Sequence, residues 1–209
     1  MKRILILGAG FLQAFVIKRA REIGYYTIAV DKDPNVEGFL CADEHATIDI
    51  VDKESCLNYA RLKQINGVLT AATDYGVLTA AYIAREMNLP GLSYDVARML
   101  RDKYLVRKRL HEAGLQCVSQ FYQVASPYDV DRLKTRIRFP VIVKPCDGSG
   151  SRAVERVNDV EALDLACSNA MRTSMTGKAL IEDYISGRET GVEAFVHNAK
   201  CMVLGIMDK

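Results

Sequence analysis

A lysine at the start of a glycine- and serine-rich stretch is the part of this sequence best suited to bind a phosphate. The stretch runs from Lys144 to Val154 and reads KPCDGSGSRAV. The apolar run before Lys144 predicts a strand that delivers an ammonium group to the loop, and the small residues let backbone N–H groups converge on an anion. No Gly-Lys-Ser/Thr ends the stretch, so it is not a Walker A loop. A polar turn between two strands explains the same residues equally well.

A second segment, at 182–189, ends a predicted strand in alternating acidic and apolar residues and reads EDYISGRE. Such a strand end can present backbone N–H and C=O groups to the edge of an adenine ring. A carboxylate a few residues further along can accept hydrogen bonds from ribose hydroxyls. Taken alone, the segment is equally explained as a charged strand end. The order and the spacing of the two segments favour a nucleotide site.

A third candidate is the pair Gly8 and Gly10, which lies between a predicted strand and a predicted helix. Asp31 ends the next strand, where an acid would bind the ribose of a dinucleotide. The third glycine of that fingerprint is replaced by Gln13. Glycine is also common in any tight turn between a strand and a helix. The pattern favours such a turn, with dinucleotide binding as the alternative.

Over about the first ninety residues, short apolar runs alternate with amphipathic segments, which predicts a parallel sheet with flanking helices. Strands are expected at 3–7, 26–30, 44–48 and 67–70, and helices at 10–23, 53–64 and 73–87. Thr73 or Asp74 is expected to cap the third helix. The residues of the first helix that are expected to face the sheet include Phe11, Phe15, Ala20 and Ile23.

The second half of the chain has a different pattern. Two short helices are expected over 93–114, and a helix over 159–171. Strands are expected at 141–143 and 179–185, followed by an antiparallel hairpin of 190–196 with 201–207 that turns near Asn198. The predicted fold class is therefore α/β, with a four- or five-stranded parallel sheet followed by a smaller α+β part.

The composition is that of a globular protein and excludes several classes of partner. A net charge of +2 gives no electrostatic reason to expect a nucleic acid or an anionic membrane. No apolar run approaches the ~20 residues that span a bilayer. The six basic residues within 98–109 have no ladder of aromatic residues beside them, so they are expected on a solvated helix face. Six cysteines, at 41, 56, 117, 146, 167 and 201, form no C-x-x-C pair, which predicts reduced thiols in the cytoplasm and no metal site.

Together these motifs resemble the ATP-grasp superfamily over essentially the whole chain. The order is the same: a Gly-x-Gly α/β domain, the pair Asp102-Lys103 at the start of a helix, a helix that ends at Gly114, and then the Lys-Pro loop. The loop is most similar to those of the carbamoyl-phosphate-synthase-like and carboxylate–amine ligase branches. The resemblance implies a Rossmann-like pre-ATP-grasp domain at 1–92, a helical linker at 93–118, and the N-terminal part of an incomplete α+β ATP-grasp domain at 119–209.

The resemblance also implies roles for residues that would bind the phosphates of ATP. Lys103 and Lys144 would hold the α- and β-phosphates. Ser149, Gly150 and Ser151 would cover the phosphates as a flexible loop. The loop departs from the family's pattern at position 153, where an alanine replaces a common glycine and is expected to stiffen the backbone mildly.

Three further residues would bind the nucleoside by the same resemblance. Glu182 and Ile185 would recognise adenine through the backbone of the hinge between two strands, and Glu189 would bind the ribose. Which residues are catalytic stays unknown.

The implied activity is ATP-dependent ligation. ATP would phosphorylate a small-molecule carboxylate or bicarbonate, and an amine or a similar nucleophile would displace the phosphate, with magnesium bridging the phosphates. The family's magnesium ligands fall beyond a position equivalent to Lys209. They are therefore expected outside this chain, and residues 1–209 alone are expected to be inactive.

Two other functions stay open. The chain could be a non-catalytic nucleotide-binding subunit of a split enzyme, whose site is completed by a partner chain or a homodimer. It could also be a dinucleotide-dependent oxidoreductase that uses Gly8, Gly10 and Asp31, although this alternative leaves the loop of 144–154 without a role.

Overall fold

A computed structural model describes residues 1–115 and 118–208. Unit 1 comprises residues 1–115 and 146–151, and unit 2 comprises the other described residues. The boundaries expected from the sequence, near residues 92 and 118, stay a prediction. The expected linker of 93–118 includes residues 116 and 117, which lie outside the described residues, as does Lys209.

Unit 1 is built on a parallel sheet of four strands, as predicted. The strands are β1 (Arg3–Leu7), β2 (Tyr26–Asp31), β3 (Glu44–Thr47) and β4 (Gly67–Thr70), in the order β3-β2-β1-β4. Leu5 and Leu7 face one hydrophobic core and Ile6 faces another. The central strand is therefore buried on both faces, as is usual for parallel sheets in α/β proteins.

Six helices surround or follow this sheet. A 3-10 helix (Glu37–Cys41) lies on the same side of the sheet as the first α-helix. The α-helices are α1 (Phe11–Glu22), α2 (Lys53–Leu62), α3 (Val77–Glu86), α4 (Tyr94–Arg101) and α5 (Lys103–Glu112). α2 and α3 contribute to the core on the opposite side.

The predicted inward face of α1 was largely wrong. Phe11, Phe15 and Ile23 are 63%, 59% and 57% exposed, whereas Ala20 and Ile17 are buried against the sheet. Small residues let a helix approach a sheet closely, so the face that carries alanines packs inward and the bulky rings do not. The rings of Phe11 and Phe15 pack against each other instead, edge to face, with centroids 5.4 Å apart.

The predicted cap of α3 was also wrong. Its N-cap is Gly76, and no side chain bonds to the first turn. Thr73 Oγ1 accepts a hydrogen bond from the Tyr75 N–H instead, at 3.2 Å. A Cβ at Gly76 would lie 2.5 Å from Thr70 Oγ1, so only a glycine lets the chain begin a helix this close to β4.

Unit 2 contains a second, antiparallel sheet. Its strands are β5 (Phe121–Val124), β6 (Val141–Pro145), β7 (Glu155–Val157) and β8 (Ala179–Asp183), in the order β5-β8-β6-β7. Helices α6 (Pro127–Leu133) and α7 (Leu163–Thr173) pack on the face that carries Val141, Val143 and Ile181. β5, α6 and β7 were not predicted, and α7 begins later than expected.

The hairpin at the end of the described chain confirms its prediction. β9 (Thr190–His197) pairs antiparallel with β10 (Lys200–Asp208). The turn lies at Asn198 and Ala199, whose φ angles are +49° and +58°. Positive φ at two successive turn residues matches the right-handed twist of a hairpin.

The state of the cysteines and the length of the apolar helices can be compared with what the composition predicts. Five cysteines are described, and they are free thiols; Cys117 lies outside the described residues. Within residues 1–115 and 118–208, no helix has both the length and the apolar character needed to cross a membrane. The cytoplasmic location stays a prediction.

Candidate functional site

The turn between β1 and α1 is occupied by an acidic side chain of the protein itself. The Ala9 N–H donates a hydrogen bond to Asp31 Oδ2 at 2.9 Å, and the Asp33 N–H donates to Asp31 Oδ1 at 3.1 Å. A dinucleotide pyrophosphate would need such turn N–H groups. The carboxylate already satisfies one of them and would repel a phosphate placed beside it.

Gln13 fills the space above the two glycines of the same turn. Its Nε2 donates to the Ala71 carbonyl oxygen at 2.7 Å. A Cβ at Gly8 would lie 3.5 Å from Gln13 Cγ, and one at Gly10 would lie 3.1 Å from Gln13 Oε1. The Gln13 side chain therefore fills space that a dinucleotide-binding turn leaves open for its ligand. This observation and the position of Asp31 both disfavour the dinucleotide alternative.

Lys103 is held against the glycine-rich loop within unit 1. Asp102 caps α5 by accepting hydrogen bonds from two backbone N–H groups of its first turn. The Lys103 N–H donates to the Cys146 carbonyl oxygen at 2.7 Å, and Lys103 Nζ donates to the Gly148 carbonyl oxygen at 2.8 Å. The structure thus brings the predicted phosphate lysine together with the predicted phosphate loop.

The backbone of that loop repeatedly takes left-handed conformations. The φ angles are +87° at Gly148, +76° at Gly150 and +54° at Ser151. Ala153, which stands where the family commonly has glycine, also has a positive φ of +52°. A residue with a Cβ is disfavoured in this region by roughly 1–2 kcal/mol. The chain therefore tolerates strain at position 153 that a glycine would remove.

Lys144 and Glu182 form a buried ion pair in unit 2. They lie on the neighbouring strands β6 and β8, where Ile142 pairs with Glu182 and Lys144 pairs with Leu180. Lys144 Nζ lies 2.5 Å from Glu182 Oε1, and the two side chains are 18% and 6% exposed. Strand alternation places them on the sheet face opposite α6 and α7. Two predicted ligand residues are thus brought into direct contact.

Ile185 and Glu189 lie in the connection between β8 and β9. Both are exposed, Ile185 by 55%. The preceding residue of the connection, Tyr184, donates its N–H to the Pro140 carbonyl oxygen at 3.2 Å. This bond ties the start of the connection to the residue that precedes β6. The adenine and ribose roles of Ile185 and Glu189 stay predictions.

Sequence reasoning missed Arg156, which lies on the same sheet face as the ion pair. Arg156 pairs with Ile142 across β6 and β7. Its Cζ lies 4.1 Å from the ring centroid of Tyr184, and its Nε donates to Asn158 Oδ1 at 3.0 Å. The cation–π contact holds Tyr184, which lies between Glu182 and Ile185 in the predicted hinge. Since β7 has only three residues, no periodic signal could have placed Arg156.

Asp183 is a second missed residue beside the hinge. Its Oδ2 accepts hydrogen bonds from the Ser119 N–H at 2.6 Å, the Ser119 hydroxyl at 2.9 Å and the Gln120 N–H at 3.0 Å. Burial acts to raise the pKa of Asp183, but these bonds outweigh it and lower the pKa below the ordinary value. The carboxylate therefore stays charged and holds the chain before β5 against the end of β8.

The donor groups of the described chain suit a nucleotide better than a metal ion. Loop N–H groups and two lysines can bind phosphate oxygens. Among residues 1–115 and 118–208, no group of three or more His, Cys, Asp or Glu side chains is arranged to hold a metal. Magnesium needs oxygen ligands in near-octahedral geometry. Residues 1–115 and 118–208 do not supply such a set of ligands.

Comparison with known proteins agrees with this geometry. Residues 137–209 match the family model of the ATP-grasp domain. The predicted ATP-grasp resemblance is confirmed. The carbamoyl phosphate synthase large chain of Clostridium beijerinckii is 22% identical over 99% of this chain and 21% of its own length.

Solved ATP-grasp structures share the fold of the whole described chain. Phosphoribosylglycinamide synthetase from Anaerococcus prevotii is 27% identical with a TM-score of 0.72, over 99% of this chain and 51% of that one. The biotin carboxylase domain of Hydrogenobacter thermophilus 2-oxoglutarate carboxylase, solved with MgADP, ADP and bicarbonate, is 19% identical with a TM-score of 0.80, over 99% and 50%. The second likeness shows the fold alone. The chain spans about half the length of these structures and about a fifth of the synthase.

Proposed function

We propose that this chain is the ATP-binding portion of an ATP-dependent ligase. The ligase activates a carboxylate or bicarbonate as an acyl phosphate, which an amine or a similar nucleophile then attacks. The observation that carries the proposal is the buried pair of Lys144 and Glu182, which places a cation and an acceptor on the sheet face opposite α6 and α7. A protein of the same fold, the biotin carboxylase domain from Hydrogenobacter thermophilus, was solved with MgADP and bicarbonate.

In this proposal the ion pair is exchanged for contacts with the nucleotide. A buried charge is costly unless it is paired, and without a ligand the two side chains satisfy each other. A phosphate oxygen can replace the carboxylate as the partner of Lys144. The Glu182 carboxylate can then accept hydrogen bonds from donors such as an exocyclic amine. ATP carries both kinds of group, so it can satisfy both members of the pair.

The second contribution comes from Lys103 and the loop that it contacts. Lys103 Nζ already donates to the Gly148 carbonyl oxygen, so the ammonium lies beside a backbone that is turned by positive φ angles at Gly148 and Gly150. Phosphoryl transfer depends mainly on positioning and on stabilising charge at the phosphate oxygens. A lysine and a loop of this kind supply both.

Calorimetric titration with ADP, ATP and NAD tests the proposal. We expect ADP and ATP to bind, with a dissociation constant above ~10 μM for the chain alone, and NAD to bind much more weakly. Lys103→Ala should weaken ADP binding at least tenfold, because a charged hydrogen bond contributes about 1.5–3 kcal/mol. Lys108, which is exposed on the same helix, provides the matched control as Lys108→Ala. Tighter binding of NAD than of ADP would overturn the proposal.

A further inference from the structure

A cavity of about 320 Å³ lies in unit 1 beside the glycine-rich loop. It is bounded by the chain that follows β4, by α4 and by the start of α5. The carboxyl ends of strands are where open α/β sheets bind their ligands. Its position therefore makes it a candidate binding site, separate from the turn that Asp31 and Gln13 occupy.

Charged side chains of both signs line this cavity. Asp74 contributes a carboxylate, and Arg101 and Lys103 contribute two cations. A ligand that carries an ammonium and a carboxylate can pair with both kinds of group, and charge-assisted hydrogen bonds are the stronger ones in proteins. A purely anionic ligand would leave Asp74 beside a like charge.

The rest of the wall is largely apolar. Tyr75, Val77, Ala97 and Leu100 line it, and Tyr75 and Leu100 are 38% and 53% exposed. Apolar walls with a few placed polar groups are typical of small-molecule sites. The wall therefore suits a ligand with an aliphatic portion.

The volume limits the size of the ligand. A water molecule occupies about 30 Å³ in the liquid, so the cavity has room for roughly ten non-hydrogen atoms. An amino acid with an aliphatic side chain fits.

The cavity opens on the loop that would cover the phosphates of ATP. Gly148 and Ser149 form part of its lining, and Gly148 is the residue that Lys103 contacts. A carboxylate must approach the transferred phosphoryl group in line with the leaving oxygen, at contact distance. A ligand held here by its carboxylate would lie beside that group.

We propose that this cavity binds an α-amino acid with an aliphatic side chain, whose carboxylate is the group that the ligase activates. This step rests on the proposed function. Asp74 pairs with the ammonium, Arg101 pairs with the carboxylate, and the apolar wall takes the side chain, while Lys103 stays with the phosphate loop. In the transfer, a carboxylate oxygen bonds to the terminal phosphorus of ATP as the bond to the ADP oxygen breaks, which gives an aminoacyl phosphate and ADP.

Ligand titrations by NMR, in the presence of saturating ADP, test the proposal. The three probes are L-leucine, 4-methylpentanoate, which lacks the amino group, and 3-methylbutylamine, which lacks the carboxylate. We expect L-leucine to bind at least about tenfold more tightly than either analogue, because each analogue lacks one of the two charged groups that L-leucine offers to the cavity.

Charge-removing variants locate the binding. Asp74→Asn should abolish the preference for L-leucine over 4-methylpentanoate, and Arg101→Gln should weaken both acids about tenfold. Asp95→Asn and Arg98→Gln are the matched controls, because both residues are exposed on α4 and do not line the cavity. ADP titration of the Asp74→Asn variant should give the wild-type affinity.

Each outcome separates this proposal from the proposed function. Equal or tighter binding of 4-methylpentanoate overturns amino-acid recognition. Failure of L-leucine to bind at ~10 mM while ADP binds normally also overturns it and leaves the nucleotide site intact. If L-leucine binds and its binding is lost in Asp74→Asn, the amino-acid site in the cavity is supported even when ADP does not bind. In that case the proposed ATP-binding function is contradicted.

Discussion

Lys144 Nζ and Glu182 Oε1 lie 2.5 Å apart on neighbouring strands, although 38 positions separate the two residues in sequence. The sequence alone predicts that Lys144→Ala weakens nucleotide binding and leaves the melting temperature of the free protein nearly unchanged. The buried pair changes the second expectation. Removing Lys144 takes away the cation that pairs with a carboxylate only 6% exposed, and breaking such a pair costs about 3–5 kcal/mol.

We therefore expect Lys144→Ala to lower the free energy of unfolding by about 3 kcal/mol. The double variant Lys144→Met/Glu182→Leu should stay within about 1 kcal/mol of wild type, because replacing both charges by apolar groups is often neutral. Its affinity for ADP should still fall at least tenfold. Urea unfolding and calorimetry measure the two effects. A double variant that binds ADP like wild type would show that the pair is purely structural.

The two glycines of the β1–α1 turn are expected to matter for different reasons. In the structure the positive φ of this turn lies at Gly8, with φ +95°, whereas Gly10 has φ −68°. Gly8→Ala should therefore cost about 1 kcal/mol through backbone strain. Gly10→Ala should cost stability only because its Cβ would lie 3.1 Å from Gln13 Oε1.

A double-mutant cycle with Gln13→Ala distinguishes these two costs. In that background the cost of Gly10→Ala should fall, and the cost of Gly8→Ala should stay. ADP affinity should be unchanged in every variant, since this turn is not part of the proposed nucleotide site. Loss of ADP binding without loss of stability would move the site to the first sheet.

Asp183 is expected to make stability depend on pH in the acid range. Its hydrogen bonds with Ser119 and Gln120 hold its pKa below the ordinary value. As the pH falls, the unfolded chain binds this proton first, so stability is lost below about pH 4. The Asp183→Asn variant should be less stable than wild type at neutral pH, and its stability should fall by less than that of wild type when the pH is lowered. Urea midpoints at about pH 7 and pH 3 measure this, with the exposed Glu161→Gln as control.

The sequence predicted the helices and strands whose apolar residues recur with a clear period, and the motifs that follow one another in a recognisable order along the chain. The parallel sheet and the β9–β10 hairpin follow from local patterns. The contact of Lys103 with the loop near Gly148 agrees with the roles that the family resemblance implied. The inward face of α1 did not follow, because hydrophobicity ranks Phe11 and Phe15 above alanine while close packing on a sheet selects Ala14 and Ala20.

Other features depend on strand register, which no single segment encodes. The contact between Lys144 and Glu182 exists because β6 and β8 pair with Ile142 opposite Glu182. Arg156 contacts Tyr184 because β6 and β7 pair with Ile142 opposite Arg156. The cavity that Asp74 and Arg101 line needs the β4 end, α4 and the loop to meet, and their residues are far apart in sequence.

The buried cysteines are expected to resist alkylation. Burial, with a further contribution from Asp52 and Asp49, raises the pKa of Cys56 to about 12, and burial raises the pKa of Cys167 to about 12 as well. Thiols react as thiolates. At about pH 8, iodoacetamide should modify the exposed Cys201 before Cys56 and Cys167, which should stay unmodified until the protein unfolds. Mass spectrometry of peptides identifies the sites. Labelling of Cys56 as fast as Cys201 would contradict this expectation.

Restoring the third glycine of the dinucleotide fingerprint should not create an NAD site. Gln13→Gly removes the hydrogen bond to the Ala71 carbonyl oxygen and places a glycine in the first turn of α1. Each change costs about 1 kcal/mol, so the variant should be less stable by about 2 kcal/mol.

The carboxylate of Asp31 would still occupy the Ala9 N–H in that variant. Opening the space above Gly8 and Gly10 therefore leaves a negative charge where the pyrophosphate would lie, and Coulomb repulsion at contact distance opposes binding. Calorimetric titration of Gln13→Gly with NAD should show no binding at concentrations that saturate the protein with ADP. Asn66→Gly, a change in the turn before β4, is the control for added backbone freedom. If Gln13→Gly bound NAD as tightly as ADP, the first sheet would be a dinucleotide site that Gln13 blocks, and the assignment of Asp31 as the occupant of the turn would be wrong.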